Sequence, residues 1–256
     1  MAWFDAGVNV FDQRLPAEAT IAAAAKANVT RICLITTHPD EWARAESFYQ
    51  QFPQTICYTL GVHPHHAKDV RPQHWAELRS RINSAGVVAI GECGLDYNRD
   101  FSPRDVQRAV FEAQIELACE FNKPLYLHER DAFDDQCACL QPYVTLLSGG
   151  IAHCFTGTAE QMHTYLSYGL YIGVTGWVCD PKRGAMLQHA VTELPLERLI
   201  LETDSPYLYP KTLKPRQRNN SPASLPHVGQ SVAMLKGLDV AQVESATFQN
   251  SCLLFE

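Results

Sequence analysis

The 256-residue sequence lacks any apolar run long enough to cross a membrane, and Met1-Ala2-Trp3-Phe4-Asp5 is not a basic stretch followed by an apolar one. The first absence argues against a membrane protein and the second against a secreted one. The nine cysteines are an odd number without Cys-x-x-Cys pairs, which argues against a disulfide scaffold and a structural zinc site. We therefore expect a reduced, cytoplasmic protein.

Positive charge is also in short supply. The chain has 21 Lys and Arg residues against 28 Asp and Glu residues, a formal net charge of −7. This balance argues against a protein that coats duplex DNA by neutralising its phosphates. It still allows an enzyme that acts on nucleic acid, because divalent cations and one local basic loop would supply the attraction. Such a loop lies at residues 211–222 and contains Arg216 and Arg218.

Two kinds of segment alternate along the chain. Short apolar segments predict β-strands at residues 3–8, 31–36, 55–62, 87–93, 124–128, 150–155, 170–175 and 199–203. Stretches with helical periodicity lie between them, among them residues 17–27, 39–52, 73–82 and 103–121. This alternation predicts βαβ units with a parallel sheet, closed into an α/β barrel of the TIM (β/α)8 type.

No internal repeat or linker divides the sequence, so we expect one domain over residues 1–256. An open, doubly wound sheet is the alternative fold. Its Gly-rich phosphate fingerprint is absent, because Gly91-Glu92-Cys93-Gly94 lacks the required spacing.

Four of the apolar segments stop at a residue that binds divalent metals: Glu92, His128, His153 and Asp204. In barrel enzymes the chemistry sits at the carboxyl ends of the strands. Two imidazoles and two carboxylates suit Mg²⁺, Mn²⁺ or Zn²⁺, so we predict a divalent-metal site there. Asp204 would orient the attacking water or take its proton. One such histidine alone is more often a hydrogen-bonded structural residue, but four strand ends together favour the metal site.

Side chains alternate along a strand, so each ligand should share a face with the residue two positions earlier. The expected pairs are Ile90 with Glu92, Tyr126 with His128, Ile151 with His153, and Glu202 with Asp204. Glu202 lies one pleat deeper, where a structural hydrogen bond is the simpler role.

Polar residues of three further segments are expected at the same rim. His63 and His65 follow the third strand, where they would bind metal, protonate a leaving group or contact the phosphate of a substrate, and His63, nearest the strand end, is the better catalytic candidate. Arg130 follows the fifth strand and would pair with a carboxylate or a phosphate. Arg216 and Arg218 follow the eighth strand, where they would contact phosphate and sugar. The alternatives are a Pro-stiffened loop with surface histidines and an ordinary solvated basic loop.

Several motifs together resemble the TatD family of metal-dependent deoxyribonucleases. They are Gly61-Val62-His63-Pro64-His65, Ile90-Gly91-Glu92-Cys93-Gly94-Leu95-Asp96-Tyr97, Pro124-Leu125-Tyr126-Leu127-His128-Glu129-Arg130-Asp131-Ala132, His153-Cys154-Phe155-Thr156-Gly157, Leu199-Ile200-Leu201-Glu202-Thr203-Asp204-Ser205-Pro206 and Arg218-Asn219. The resemblance runs across essentially the whole chain and implies a TIM-barrel hydrolase that cleaves phosphodiesters with divalent metals. It also implies that Glu92, His128 and His153 are metal ligands, and that Asp204 is the catalytic or metal-binding aspartate.

The chain departs from the family pattern at the end of the first strand. Most family members have Asp-x-His-x-His there, whereas Asp5-Ala6-Gly7-Val8-Asn9 has Gly7 and Asn9 at the histidine positions. One of the usual metal sites therefore loses both imidazoles, and an Asn oxygen suits Mg²⁺ better than Zn²⁺. This substitution resembles the subgroup described as magnesium-dependent 3′–5′ exonucleases of single-stranded DNA and RNA.

We therefore expect a monomeric nuclease that degrades single-stranded DNA or RNA, with DNA repair as one cellular role. Mg²⁺ is the first expectation for the metal, with Mn²⁺ and Zn²⁺ as alternatives. Asp204, His63 and Glu92 would be catalytic. A second reading is a metal-dependent hydrolase of esters, lactones or amides, including aminoacyl-tRNA deacylation. A third is a non-catalytic metal-binding or nucleic-acid-binding protein, suggested by the missing histidines.

Overall fold

Eight parallel β-strands follow one another around the sheet in chain order, each pairing with the next. The computed structural model describes residues 2–256. The strands are β1 (Trp3–Val8), β2 (Val29–Leu34), β3 (Ile56–Leu60), β4 (Val87–Asp96), β5 (Leu125–Arg130), β6 (Gly150–Ala152), β7 (Tyr171–Val174) and β8 (Leu199–Leu201). Val8 pairs with Ser205, and backbone N–H groups of Asn9 and Asp204 donate to Ser205 and Gly7 carbonyls. These contacts join the two edge strands and confirm the predicted TIM-type barrel.

The α-helices cover the outside of this sheet. They are α1 (Ala17–Lys26), α2 (Pro39–Gln51), α3 (Pro72–Arg81), α4 (Arg104–Phe121), α5 (Phe133–Leu140), α6 (Ala159–Ser167), α7 (Ala185–Glu193), α8 (Leu225–Lys236) and α9 (Val240–Phe255). Helix α9 brings Phe255 against Tyr126 and Phe4 of the barrel interior, with ring centroids 6.5 and 5.8 Å apart. Within residues 2–256, no helix has the length and apolar character needed to span a membrane.

Five predicted strands end earlier than the sequence pattern indicates, among them the two that precede His153 and Asp204. The segments predicted at 150–155 and 199–203 form strands only as far as residues 152 and 201. The backbone then turns, and Cys154 and Asp204 have positive φ angles of 46° and 50°. His153 and Asp204 therefore lie on turns just beyond the strand ends, which is where the barrel opens.

Strand alternation separates two apolar cores. One face of each strand fills the barrel interior, with Cys33, Ala89, Tyr126, Ile151 and Ile200 among its side chains. The opposite face packs under the helices, with Ile32, Ile90, Leu125, Leu127 and Leu199 among its side chains. The apolar inner core supports the polar groups at the carboxyl ends of the strands and holds their backbone in place.

Asp5 is a fully buried carboxyl group where β1 meets the segment after β8. Its Oδ1 accepts a hydrogen bond from Thr203 N at 2.8 Å, and its Oδ2 accepts one from Thr203 Oγ1 at 2.6 Å. Burial nevertheless raises the pKa of Asp5 to about 7, because the hydrogen bonds do not compensate for lost hydration. The native protein therefore holds this proton more tightly than the unfolded chain does.

We expect the stability contribution of Asp5 to fall as pH rises. It is fully present below the unfolded-state pKa near 4 and is lost by the time pH has passed about 7. The free energy of unfolding of the native protein, relative to Asp5→Asn, should fall by on the order of 3 kcal/mol between about pH 4 and pH 8. Urea denaturation of both proteins measures it; a constant difference across this range would contradict the assignment.

Candidate active site

Glu92 reaches the barrel mouth through a β-bulge in β4. Gly91 and Cys93 lie opposite consecutive residues of β5, so Glu92 is the extra residue between them. Ile90 packs in the outer core, whereas the Glu92 side chain contacts histidines at the mouth. The prediction that Ile90 and Glu92 share a face is therefore wrong, because the bulge shifts the alternation by one residue.

The Glu92 carboxylate lies among three imidazoles from different strand ends. Its Oε1 is 2.8 Å from Nδ1 of His128, 3.5 Å from Nε2 of His63 and 3.9 Å from Nε2 of His153. Burial by itself would raise the pKa of Glu92, but the surrounding histidines hold it well below its usual range. Glu92 is thus an ionised, buried carboxylate at the centre of the mouth.

Asp204 is a second carboxylate beside His153. Its Oδ1 is 3.8 Å from Nε2 of His153 and accepts a hydrogen bond of 2.8 Å from Nδ2 of Asn9. Burial raises the pKa of Asp204 to about 7, while His153 acts in the opposite direction. His153 Nε2 therefore faces both Asp204 and Glu92.

The other ring nitrogen of His153, Nδ1, contacts Glu202 and Tyr126. Nδ1 lies 2.6 Å from Glu202 Oε2 and 2.8 Å from the Tyr126 hydroxyl, which is itself 2.8 Å from Glu202 Oε2. The opposite oxygen of Glu202 accepts a hydrogen bond of 2.5 Å from Cys154 N. Burial lowers the pKa of His153, but Glu202 outweighs it and raises the value to about 10. Glu202 thus orients the ring and leaves Nε2 toward the site.

Gly7 contributes no ligand, and its surroundings leave no room for one. A Cβ at this position would collide with the Tyr126 hydroxyl and would lie 2.7 Å from Glu202 Oε2. The Tyr126 hydroxyl also lies 3.0 Å from the Ala6 carbonyl oxygen. The space where a side chain of residue 7 would begin is thus filled by the network behind His153.

Gly7→Ala should therefore destabilise the protein by roughly 1–3 kcal/mol, because the methyl group overpacks a filled site. Urea denaturation measures the change in the free energy of unfolding. Adding Tyr126→Phe removes the colliding hydroxyl. The double variant should therefore lose less unfolding free energy than the sum of the losses in the two single variants. Simple additivity would show that the collision with Tyr126 is not the cause.

Asp96 is a site residue that sequence reasoning missed. This buried carboxylate, at the end of β4, lies 2.7 Å from Nε2 of His65 and 3.3 Å from Nε2 of His128. Burial lowers the pKa of His128, but Asp96 and Glu92 outweigh it and raise the value to about 9. The only sequence signal for Asp96 is its place in the Gly-Leu-Asp-Tyr motif, four residues after Glu92.

The geometry of His63 favours a role as hydrogen-bond donor. Its Nδ1 accepts from His65 N at 3.1 Å, so a neutral ring carries its proton on Nε2, toward Glu92. Burial, together with the neighbouring His128, lowers the pKa of His63 to about 4. His63 is therefore neutral near pH 7 and presents an N–H group to the centre of the site.

The mouth of the barrel contains a cavity of about 410 Å³. Nearly all the predicted site residues line it, namely His63, His65, Glu92, His128, Arg130, His153 and Asp204. Arg216 and Arg218 do not line it; both are exposed on the loop that follows the eighth strand. The structure brings the predicted ligands together and leaves the two loop arginines outside the cavity.

A further group of possible ligands, His38, His66 and Asp69, lies on the rim. His38 Nδ1 already accepts a hydrogen bond from Asp40 N and caps the start of α2. A neutral His38 ring then carries its proton on Nε2, so ligation there would disrupt the cap.

The donor set at the mouth fits a divalent cation. Two groups of potential ligands lie there, each with ligand atoms within 4.8 Å of one another: His63, Glu92 and His128, and His153, Cys154 and Asp204. The hydrogen bond to His63 Nδ1 leaves Glu92 and His128 as the ligands of the first group. The 3.9 Å approach of His153 to Glu92 connects them. The carboxylates that raise the pKa of His128 and His153 would attract a metal ion in place of those protons.

The sequence of this chain is similar to those of a known protein family. A family model described as "TatD related DNase" matches residues 4–256. A protein from Rahnella sp. (strain Y9602), named 3′-5′ ssDNA/RNA exonuclease TatD, is 41% identical over 256 residues, covering 98% of this chain and 97% of the relative. A protein of the same name from Pantoea sp. (strain At-9b) is 42% identical over 256 residues, covering 98% of each.

Solved structures show the same architecture. A TatD homologue from Escherichia coli K12 superposes with a TM-score of 0.91 at 25% identity, covering 99% of this chain and 97% of that one. An amidohydrolase from Saccharomyces cerevisiae, described as uncharacterized, superposes with a TM-score of 0.86 at 20% identity over the full length of both chains. The second likeness concerns the fold alone.

Proposed function

This chain belongs to the TatD-related DNase family, and from that membership we propose that it is a divalent-metal-dependent nuclease acting on single-stranded DNA and RNA. Curated relatives about 40% identical over the full length are named 3′-5′ ssDNA/RNA exonucleases, which supports hydrolysis from the 3′ end. The observation that carries the proposal is the approach of Glu92 to His63, His128 and His153 at one barrel mouth, with Asp204 beside them.

Glu92, His128, His153 and Asp204 would hold the ion. When bound, it supplies a Lewis acid that stabilises charge on the phosphoryl oxygens. We propose Mg²⁺, because Asn9 and the carboxylates offer oxygen donors and Gly7 offers no imidazole. Glu202 and Tyr126 hold Nδ1 of the His153 ring, so that Nε2 would be left to bind the ion.

The chain's own groups would carry the proton and position the phosphate. Asp204 is suited to accept the proton of the attacking water, because Asn9 fixes its carboxylate beside His153. The Nε2–H group of His63 would donate to a phosphate oxygen. His65 and Arg130, which line the cavity, would contact the same backbone, and Arg216 and Arg218 would contact nucleotides outside it.

A single assay separates the competing functions. We expect the protein with Mg²⁺ to shorten a single-stranded oligonucleotide with a free 3′ hydroxyl, and EDTA to stop the reaction. Ester, lactone, amide and aminoacyl-tRNA substrates assayed in parallel test the alternative hydrolase. If oligonucleotides stay intact with Mg²⁺, Mn²⁺ and Zn²⁺, the nuclease proposal is wrong. Internal cleavage of a 3′-blocked oligonucleotide would contradict only the direction.

The remaining proposals concern the setting of the enzyme. We propose a monomeric, single-domain enzyme over residues 1–256 that works in the cytoplasm, with DNA repair as one role. The odd, unpaired set of free cysteines supports a reducing compartment. Size-exclusion chromatography with light scattering would test the oligomeric state.

A further inference from the structure

A second groove shares a wall with the active-site cavity. Phe11 lines both, so its ring separates the metal-binding residues on one side from a groove of about 370 Å³ on the other. The groove runs between the segment after β1 and the outer surface of α2. Val10, Ala17, Ala43 and Phe48 give it apolar walls. Its volume lies within the range of about 300–1,000 Å³ that is usual for small-ligand pockets.

Polar groups sit at the edge of these apolar walls. Ser47 and Gln51 both line the groove, and the side-chain amide N–H of Gln51 donates to the backbone carbonyl oxygen of Ser47 at 3.2 Å. Apolar walls with a few donors and acceptors at one edge match a nucleobase, which is flat and apolar on its faces and polar around its rim.

Arg44 supplies a positive charge without a salt-bridge partner at this groove. Its guanidinium lies 4.7 Å from the centroid of the Phe11 ring. Other arginines stacked on aromatic rings in this protein also pair with a carboxylate: Arg14 with Asp12, Arg104 with Asp100 and Arg183 with Asp180. Arg44 makes no such pair with any residue in the range 2–256. Its planar donor fork is therefore available to an anion from outside.

We propose that the groove between Phe11 and α2 binds the nucleotide upstream of the scissile phosphate, with its base against Phe48 and its phosphate on Arg44, which lies over the Phe11 ring. The inference rests on the proposed nuclease function. An enzyme that removes a 3′-terminal nucleotide must hold the strand that remains, and this groove adjoins the cavity at Phe11. The base contacts are stacking contacts, so the groove accepts DNA and RNA and different bases.

Arg44→Ala tests the proposal with two substrates of different length. Decathymidine reaches the groove, whereas bis(p-nitrophenyl) phosphate is a phosphodiester too small to do so. We expect the ratio of kcat/KM for decathymidine to kcat/KM for the small diester to fall about tenfold, through KM, because a phosphate contact and an ordered stack are lost. Arg44→Lys, which keeps the charge, should recover part of the loss.

Arg79→Ala is the matched control. Arg79 also stacks on an aromatic ring, that of Phe121, but it lies on α3 and lines neither the active-site cavity nor the groove. It should leave the ratio unchanged. An unchanged ratio in Arg44→Ala, or an equal fall in Arg79→Ala, would overturn the proposal.

Binding without hydrolysis separates this proposal from the nuclease function itself. Fluorescence anisotropy of labelled decathymidine in EDTA should show weaker binding to Arg44→Ala. The slope of log Kd against log salt should drop by about 0.7, the value for one phosphate contact on a single strand. If the native protein cleaves oligonucleotides but both proteins bind with the same Kd and salt slope, the groove does not hold the strand. If the native protein cleaves no oligonucleotide at all, the nuclease proposal itself is wrong.

Discussion

Glu92→Gln should greatly weaken metal binding at the barrel mouth and lower kcat by about 10³-fold or more. The side chain keeps its volume but loses the negative charge that faces His63, His128 and His153 at 2.8–3.9 Å. Those histidines then lose the carboxylate that attracts a cation in place of their protons. Isothermal titration with Mg²⁺ and Mn²⁺ should show at least about a 100-fold weaker affinity than the native protein.

The control for Glu92→Gln is Glu112→Gln, which removes one carboxylate from α4 outside the active-site cavity. It should leave metal affinity and kcat unchanged. Circular dichroism and thermal unfolding of both variants test whether the fold is kept. A folded Glu92→Gln variant that binds Mn²⁺ as tightly as the native protein would show that Glu92 is not a metal ligand.

Asp204→Asn should lower kcat by about 10²–10⁴-fold at saturating metal, the usual range for removing a general base. Asn9 donates to the Oδ1 of Asp204 at 2.8 Å and holds the carboxylate beside His153. An asparagine keeps an oxygen that can accept this hydrogen bond, so the local structure should survive while the proton acceptor is lost. Single-turnover kinetics are measured with a 3′-labelled oligonucleotide over a range of metal concentrations. The rate at saturating metal reports the chemical step, and the concentration dependence reports metal binding.

Asn9→Ala provides the comparison for Asp204→Asn. It removes the hydrogen bond that orients the carboxylate but leaves the carboxylate itself, so its loss of kcat should be smaller, about tenfold, in keeping with one net hydrogen bond. Equal losses in the two variants would mean that Asp204 acts through its position alone. A kcat for Asp204→Asn within a few-fold of the native value would contradict its role as proton acceptor.

The barrel and most of the candidate ligands could be predicted because the strands are apolar runs that end in polar residues. A parallel strand buried on both faces seldom carries a charged side chain except at its end, so His128 and His153 were identifiable from the sequence. The same argument located Asp204. Contacts at the mouth follow from the closed topology, since the carboxyl ends of all eight strands meet there.

The features that could not be predicted depend on pairing between strands. The bulge at Glu92 arises from its register with β5, which no local pattern reveals. The sequence shows that Gly7 is not a ligand, but not that the Tyr126 hydroxyl fills the space beside it. Asp96 looks like a loop residue until β3 and β5 bring His65 and His128 to it.

The basic loop shows the limit of charge patterns. A run of positive residues after the eighth strand indicates that the loop begins near the mouth, but not which way its side chains extend. Arg216 and Arg218 lie in solvent outside the cavity. Arg44 gave no sequence signal, because a single arginine in a helix of mixed charge is ordinary until its neighbour Phe11 is seen to line the cavity.

The most direct test of the site is a crystal structure of the protein soaked in Mn²⁺, with anomalous scattering used to locate the ion. We expect one strong anomalous peak at the barrel mouth, at coordination distance from the Glu92 carboxylate and from a ring nitrogen of both His128 and His153. A fully soaked crystal with no peak there, or with an ion bound only elsewhere, would contradict the metal-dependent mechanism.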